Sequence, residues 1–105
     1  MTISTSDSIT RHHVGKRLSE VAIHNGTVYL AGQIPENNPD GDMRTQTREV
    51  LGHVERLLSD AGSSKAHILS CQICIRSAAD IVVMNEVGDA WVVPGHTPPR
   101  PTVIG

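Results

Sequence analysis

Hydrophobic residues alternate with polar ones in some segments of the chain and recur at helical spacing in others. Residues 17–24 and 27–34 have the alternating pattern of strands. They flank Asn25-Gly26, a strong hairpin signal because both residue types tolerate a positive φ. Residues 67–77, rich in Ile and Cys, predict a third strand, and residues 101–104 predict the start of a fourth.

Two segments between these strands have helical periodicity. Asp42 is a candidate N-cap, and Gly62 a candidate C-cap, of a first helix. A second helix is predicted over residues 79–92, where Gly88 would share the buried stripe. Glycine inside a helix costs about 1 kcal/mol relative to alanine, which indicates a close backbone contact there. The order β-β-α-β-α-β predicts an α+β sandwich with a sheet on one side and two helices on the other.

The length of 105 residues is that of one domain. Residues 1–11 are rich in Ser and Thr and lack periodicity, so we expect a mobile N-terminal tail before a single domain over residues 12–105. The N-terminus has neither the basic flank nor the apolar centre of a signal peptide. No segment approaches the roughly 18 apolar residues of a membrane span. We therefore expect a cytoplasmic protein without a membrane partner.

Composition and motifs argue against several classes of function. The net charge of −2, with one Trp, one Tyr and no Phe, provides neither the basic surface nor the stacking side chains of an RNA-binding module. The six histidines lack the spacing of a zinc site, and phosphate-binding glycine loops are absent, so no metal or cofactor is expected. Cys71 and Cys74 would point to opposite faces of a strand, which predicts buried structural thiols rather than a disulfide.

Arg100 is the first candidate for chemistry. It stands between Pro99 and Pro101, which restrict the backbone on both sides. A guanidinium fixed in this way suits bidentate capture of a carboxylate. The alternative is an ordinary surface arginine paired with an acidic side chain.

The chain resembles the RidA/YjgF family over nearly all of residues 12–104. The matching segments, in family order and spacing, are RLSE (17–20), HNGTVYLAGQIP (24–35), QTREVL (46–51), ILS (68–70), MNEV (84–87), DAW (89–91) and PRPTV (99–103). The resemblance implies a chorismate-mutase-like α+β fold and a homotrimeric barrel with a ligand pocket at each subunit interface. It also implies hydrolysis of 2-imino acids to 2-keto acids and ammonia.

The resemblance also assigns site residues. Arg100 matches the catalytic arginine that grips the substrate carboxylate, and the backbone N–H of Thr102 matches a second carboxylate donor. Gly32 matches a backbone position lining the pocket, and Asn85 a polar position on the second helix that serves pocket support or trimer contact. Arg17 falls where many members place a pocket tyrosine, which alters the pocket chemically.

Compared with the family pattern, we expect the domain to lack the usual last strand and the Glu on it that positions the attacking water. Three functions therefore stay open. The first is an imine deaminase, impaired by the missing Glu. The second is a non-catalytic or regulatory trimer that binds a small carboxylate. The third, after an older name of the family, is an endoribonuclease, against which the net charge and the scarcity of aromatics argue.

Overall fold

The computed structural model describes residues 8–104 of the chain. An antiparallel sheet of three strands lies at the start of this part. Its strands are β1 (Thr10–Val14), β2 (Ser19–His24) and β3 (Thr27–Leu30), with β2 in the centre. The turn between β2 and β3 has a φ of 50° at Asn25 and 77° at Gly26. Both values are positive, as a type I′ turn requires, so the hairpin prediction is confirmed.

The first strand was not predicted. Thr10 and Arg11 belong to β1 and lie opposite Ile23 and Ala22 of β2, so the expected mobile tail is wrong at these two residues. Residues 1–7 of that tail lie outside the described residues. The strand escaped prediction because its side chains are mostly exposed, which leaves no apolar alternation to read. Its pairing with β2, rather than burial of a face, makes it a strand.

The helix α1 (Met43–Asp60) begins and ends at the predicted residues. The Asp42 side chain accepts a hydrogen bond of 2.7 Å from the Thr45 N–H, and this bond holds the pKa of Asp42 below its usual value. At the other end, Gly62 adopts a φ of 80°, and the Ser63 N–H donates to the carbonyl of Leu58. This is the hydrogen-bond pattern of a glycine-terminated helix.

The second helix, α2 (Ile81–Trp91), packs against α1, and α1 also contacts β3. One turn of 3₁₀ helix (Ala78–Asp80) precedes it, so α2 begins two residues later than predicted. Both helices and both sheets contribute buried apolar side chains: Val21, Leu57, Leu58, Ile75, Met84 and Val87. Neither helix of the described chain combines the length and hydrophobicity that crossing a bilayer requires.

Two short strands form a second, parallel sheet. They are β4 (Ile73–Ile75) and β5 (Thr102–Ile104), paired with Ile73 opposite Thr102. The expected single sheet is therefore two sheets among residues 8–104. The class α+β and the predicted order of helices and strands are otherwise confirmed.

The third predicted strand is wrong over its first six residues. It begins at Ile73 rather than at residue 67, and Leu69 is 73% exposed. The segment opposite contains Pro98, Pro99 and Pro101, which have no N–H to donate. Two isolated backbone hydrogen bonds join the two segments ahead of β5. The Cys71 N–H donates to the carbonyl of Pro99, and the Ile73 N–H donates to the carbonyl of Pro101.

The thiols are also less buried than predicted. Cys74 is exposed, and Cys71 is partly exposed, so the expected pair of buried structural cysteines is wrong. Both thiols are free, as predicted from their spacing in a strand. The shortness of β4 explains the difference, because a three-residue edge strand covers little surface.

The loop between β3 and α1 is fixed to the helix by Glu49. Its carboxylate accepts hydrogen bonds from the Asn37 N–H at 3.0 Å, the Asn38 amide at 2.8 Å and the His53 ring at 2.8 Å. Desolvation raises the pKa of Glu49, but these hydrogen bonds outweigh it and lower the pKa to about 2. The ionised carboxylate therefore holds the loop that follows Gly32.

Candidate functional site

The guanidinium of Arg100 lies on one face of α2. Its Nη2 donates a hydrogen bond of 2.6 Å to Oδ1 of Asn85. One turn further along the helix, a Cβ built on Gly88 would lie 3.5 Å from Nη1 of Arg100. The close contact expected at Gly88 is therefore made by this guanidinium, which approaches the helix where no side chain intervenes.

The charge of Arg100 is not neutralised by an acid. Within residues 8–104, no carboxylate forms an ion pair or a hydrogen bond with Arg100, and its one described partner, Asn85, is neutral. The alternative of a surface arginine paired with an acidic side chain is thus wrong for the described chain. Asn85 uses one of the five guanidinium N–H groups, so others remain to bind an anion.

Thr102 places a backbone donor two residues from Arg100. The carbonyl of Pro101 accepts from the Ile73 N–H at 3.0 Å, so it points toward β4. Successive residues of a strand direct their backbone polar groups to opposite sides. The N–H of Thr102 therefore points away from β4, toward the side of β5 that has no neighbouring strand among residues 8–104.

Cys71 is a neighbour of Arg100 that the sequence did not indicate. Its N–H donates to the carbonyl of Pro99 at 3.1 Å, which brings the thiol close to the arginine. Burial raises the pKa of the Cys71 thiol, and the positive charge of Arg100 opposes this only in part. The thiol therefore remains neutral near pH 7 and leaves the charge of the arginine uncompensated.

Two predicted site residues lie in the antiparallel part of the fold. Arg17 is exposed in the turn between β1 and β2, and Gly32 is exposed after the end of β3. A Cβ built on Gly32 would meet no atom within 4 Å. No hydrogen bond or ion pair in the described part of the chain joins either residue to Arg100. The structure thus joins Arg100 to Asn85 by a hydrogen bond, with Thr102 two residues along the chain, and gives no such bond to Arg17 or Gly32 among the described residues.

The surroundings of Arg100 form an open surface in the single chain. Two clefts of about 350 Å³ each open beside the helices, and neither is lined by Arg100, Asn85 or Thr102. Across residues 8–104, no group of three His, Cys, Asp or Glu side chains is arranged to hold a metal ion. The chemistry available at Arg100 is therefore that of a fixed cation beside backbone and amide hydrogen-bonding groups.

Comparison with known proteins decides the family. The model of the family described as endoribonuclease L-PSP matches residues 9–104. The crystal structure of a YjgF family member from Neisseria meningitidis is 39% identical, with a TM-score of 0.88 over 93% of this chain and 81% of that one. The chain belongs to the RidA/YjgF family.

Curated relatives of this RidA/YjgF chain support the same conclusion. A RutC family protein of Haemophilus influenzae is 44% identical over 87 residues, which are 83% of this chain and 75% of the relative. The RutC family protein YoaB of Escherichia coli is 42% identical over 96 residues, covering 91% of this chain and 82% of the relative. The resemblance found in the sequence and the fold that it implied are both confirmed.

Gly88 was not predicted as a site residue, although the sequence drew attention to it. A glycine in the middle of a predicted helix indicated a close approach, but the sequence could not identify the approaching group. Cys71 carried no such signal, because its position beside Arg100 follows from the parallel pairing of β4 with β5.

Proposed function

We propose that this protein is an imine deaminase that hydrolyses 2-imino acids and their enamine tautomers to 2-keto acids and ammonia. Water adds to the carbon of the C=N bond and a proton passes to the nitrogen. The C–N bond then breaks, and ammonia leaves with the formation of the keto group. The observation that carries this proposal is the Arg100 guanidinium held by Asn85 without a neutralising acid.

The role of Arg100 is to bind the substrate carboxylate. The flanking prolines restrict its backbone, and Asn85 orients its guanidinium, so little freedom is lost when a ligand binds. The planar guanidinium can donate two parallel hydrogen bonds to one carboxylate. The Thr102 N–H, directed to the open side of β5, would supply a further donor. Fixing the carboxylate places the adjacent imine carbon for attack by water.

We propose further that the protein is a homotrimer and that the ligand site is completed at the subunit interface. Arg100 and Thr102 are exposed in the single chain, and Arg17 and Gly32 lie apart from them. Large apolar side chains are also exposed to an extent that a neighbouring subunit could cover: Val14, Leu18, Tyr29, Ile34, Leu69, Val82, Val103 and Ile104. Sedimentation velocity tests this part directly, and a monomer at micromolar concentration would overturn it.

A second candidate function is binding of a small 2-keto or related acid without catalysis. The same guanidinium supports it, because binding a carboxylate needs only the arginine and its neighbouring donors, whereas hydrolysis also needs a group that activates water. Such a protein would use the same arginine and amide donors to hold the carboxylate, with no group to transfer protons.

The deciding experiment compares the wild type with Arg100→Ala and with Arg76→Ala, a second exposed arginine. The imine is generated in situ, and its trapping by an added amine is followed with and without protein. We expect the wild type and Arg76→Ala to accelerate hydrolysis and Arg100→Ala to lose the acceleration. If all three are inert, the deaminase proposal fails.

Binding of 2-ketobutanoate, measured by calorimetry, then separates the two candidates. Binding by an inert wild type, lost in Arg100→Ala, would support the binding function. Equal binding by the wild type and Arg100→Ala would contradict both functions, because both depend on this guanidinium.

A further inference from the structure

A cleft between α1 and α2 lies apart from Arg100 and is not used by the proposed deaminase chemistry. Its volume is about 350 Å³, near the lower limit of the ~300–1,000 Å³ typical of small-molecule sites. Leu51, Val87, Ala90 and Trp91 contribute apolar surface. The cleft is open to solvent along much of its surface, and its volume and partly apolar lining suit a ligand with a single ring.

Gly52 keeps this cleft open. It lies within α1 without a positive φ, and a Cβ built on it would meet no atom within 4 Å. The fold therefore does not require glycine here, although glycine is unfavourable in a helix interior relative to alanine. Because Gly52 lines the cleft, any larger side chain at this position would project into the space that a ligand would occupy.

One positive charge in the cleft has no ion-pair partner among residues 8–104. Arg44 pairs with Glu86, and Glu55 is bound by the Trp91 Nε1 at 3.1 Å and lies 3.9 Å from Lys65. Arg48, which also lines the cleft, has no ion pair within the described residues. Both acids of the cleft thus have partners other than Arg48, and Arg48 remains available for one anionic group.

The indole of Trp91 is held in place before any ligand binds. Its Nε1 donates to Glu55, and the Lys65 ammonium lies over the ring, 5.2 Å from its centroid. Both contacts fix the ring orientation, and a preorganised aromatic wall favours stacked or edge-to-face contact with another ring.

From these features we propose a second binding site, for a small aromatic monocarboxylate. Its carboxylate is bound by Arg48, and its ring lies between Trp91 and the apolar surface at Leu51 and Val87. A polyphosphate ligand fits less well, because only one cleft arginine lacks a partner. The proposal does not depend on the deaminase function, since neither Arg100 nor Asn85 lines this cleft.

Benzoate is the probe, and the fluorescence of Trp91, the single tryptophan, is the readout. We expect saturable quenching with a dissociation constant on the order of 1 mM, as suits a ligand of this size. The neutral isostere benzamide is expected to bind at least about tenfold more weakly, because it cannot form a charge-assisted pair with Arg48.

Two variants test the cleft, one serves as a matched control, and one tests the other arginine site. Gly52→Leu, whose Cβ would meet no atom within 4 Å, places a side chain in the cleft and should abolish quenching by benzoate. Arg48→Gln should weaken binding about tenfold or more. Arg56→Gln, an exposed arginine of α1 that does not line the cleft, should bind as the wild type does, and Arg100→Ala shows whether the benzoate carboxylate binds at Arg100 instead.

Three results would overturn the proposal. Unsaturated quenching up to the solubility limit of benzoate would mean that no site exists. Binding by Gly52→Leu equal to that of the wild type would place the ligand outside the cleft. Loss of binding in Arg100→Ala with retention in Gly52→Leu would assign the carboxylate to the Arg100 site instead.

Discussion

Arg100 and Asn85 join the segment before β5 to α2 through a hydrogen bond of 2.6 Å between Nη2 and Oδ1. The two residues are separated by 15 positions in the chain, and the bond fixes a guanidinium that no described acid neutralises. A neutral partner orients the cation without competing for its charge. Substitutions of Asn85 should therefore alter the binding of a carboxylate at Arg100.

Asn85→Leu removes the oxygen that orients Arg100 while retaining a side chain of similar size. We expect the dissociation constant for 2-ketobutanoate to rise about five- to tenfold, the equivalent of roughly 1 kcal/mol. Asn85→Asp should weaken binding further, because its carboxylate would pair with Arg100 and compete with the ligand. Calorimetry measures both effects, with thermal unfolding as the check on folding. Equal binding by all three proteins would remove Asn85 from the site.

Gly88 should tolerate a methyl group but not a larger side chain. The Cβ of Gly88→Ala would lie 3.5 Å from the Arg100 Nη1, an ordinary van der Waals distance. We therefore expect unchanged 2-ketobutanoate binding and a gain in unfolding free energy of up to about 1 kcal/mol from helix propensity. Gly88→Leu should displace the guanidinium and weaken binding at least about tenfold. Chemical denaturation and calorimetry together test this, and strong binding by Gly88→Leu would contradict it.

Replacing Gly52 or Gly62 by alanine should change the unfolding free energy in opposite directions. Gly52 is an exposed helical residue with open space around its Cα, so Gly52→Ala should raise the unfolding free energy by about 1 kcal/mol. Gly62 has a φ of 80° after the helix end, so Gly62→Ala should lower the unfolding free energy by about 1 kcal/mol. Urea denaturation measures both changes. Shifts of the same sign would refute the conformational argument.

Glu49 should make stability depend on acid pH. Its pKa in the folded chain, about 2, lies below its ordinary value of 4.5, so the folded state binds fewer protons than the unfolded state. The stabilisation from Glu49 is therefore present above pH 4.5 and lost as the pH falls toward 2. Glu49→Gln should flatten the decline of unfolding free energy across this window, measured by urea denaturation at several pH values.

Asp89→Asn is the matched control for that experiment, since Asp89 is exposed and forms no ion pair within residues 8–104. It should leave the pH profile as in the wild type. A Glu49→Gln profile that coincides with both would show that the hydrogen bonds from Asn37, Asn38 and His53 do not stabilise the folded loop.

The sequence by itself determined the features that depend on neighbouring residues. The turn at Asn25-Gly26 and both ends of α1 lie where the sequence placed them, because these signals act over a few residues. The arginine between two prolines was likewise sufficient to single out Arg100, and the order and spacing of seven short segments indicated the family.

Only the tertiary structure decided which distant groups meet. Three features depend on contacts between segments, and the local pattern of one segment does not indicate its partner. They are the pairing of β1 with β2, the shortness of β4 opposite a proline-rich segment, and the contact of Arg100 with Asn85. A guanidinium restricted by two prolines can be recognised in a sequence. The partner that orients it lies on α2, and α2 is placed by packing against α1 and by burial of Met84 and Val87 rather than by the Arg100 segment.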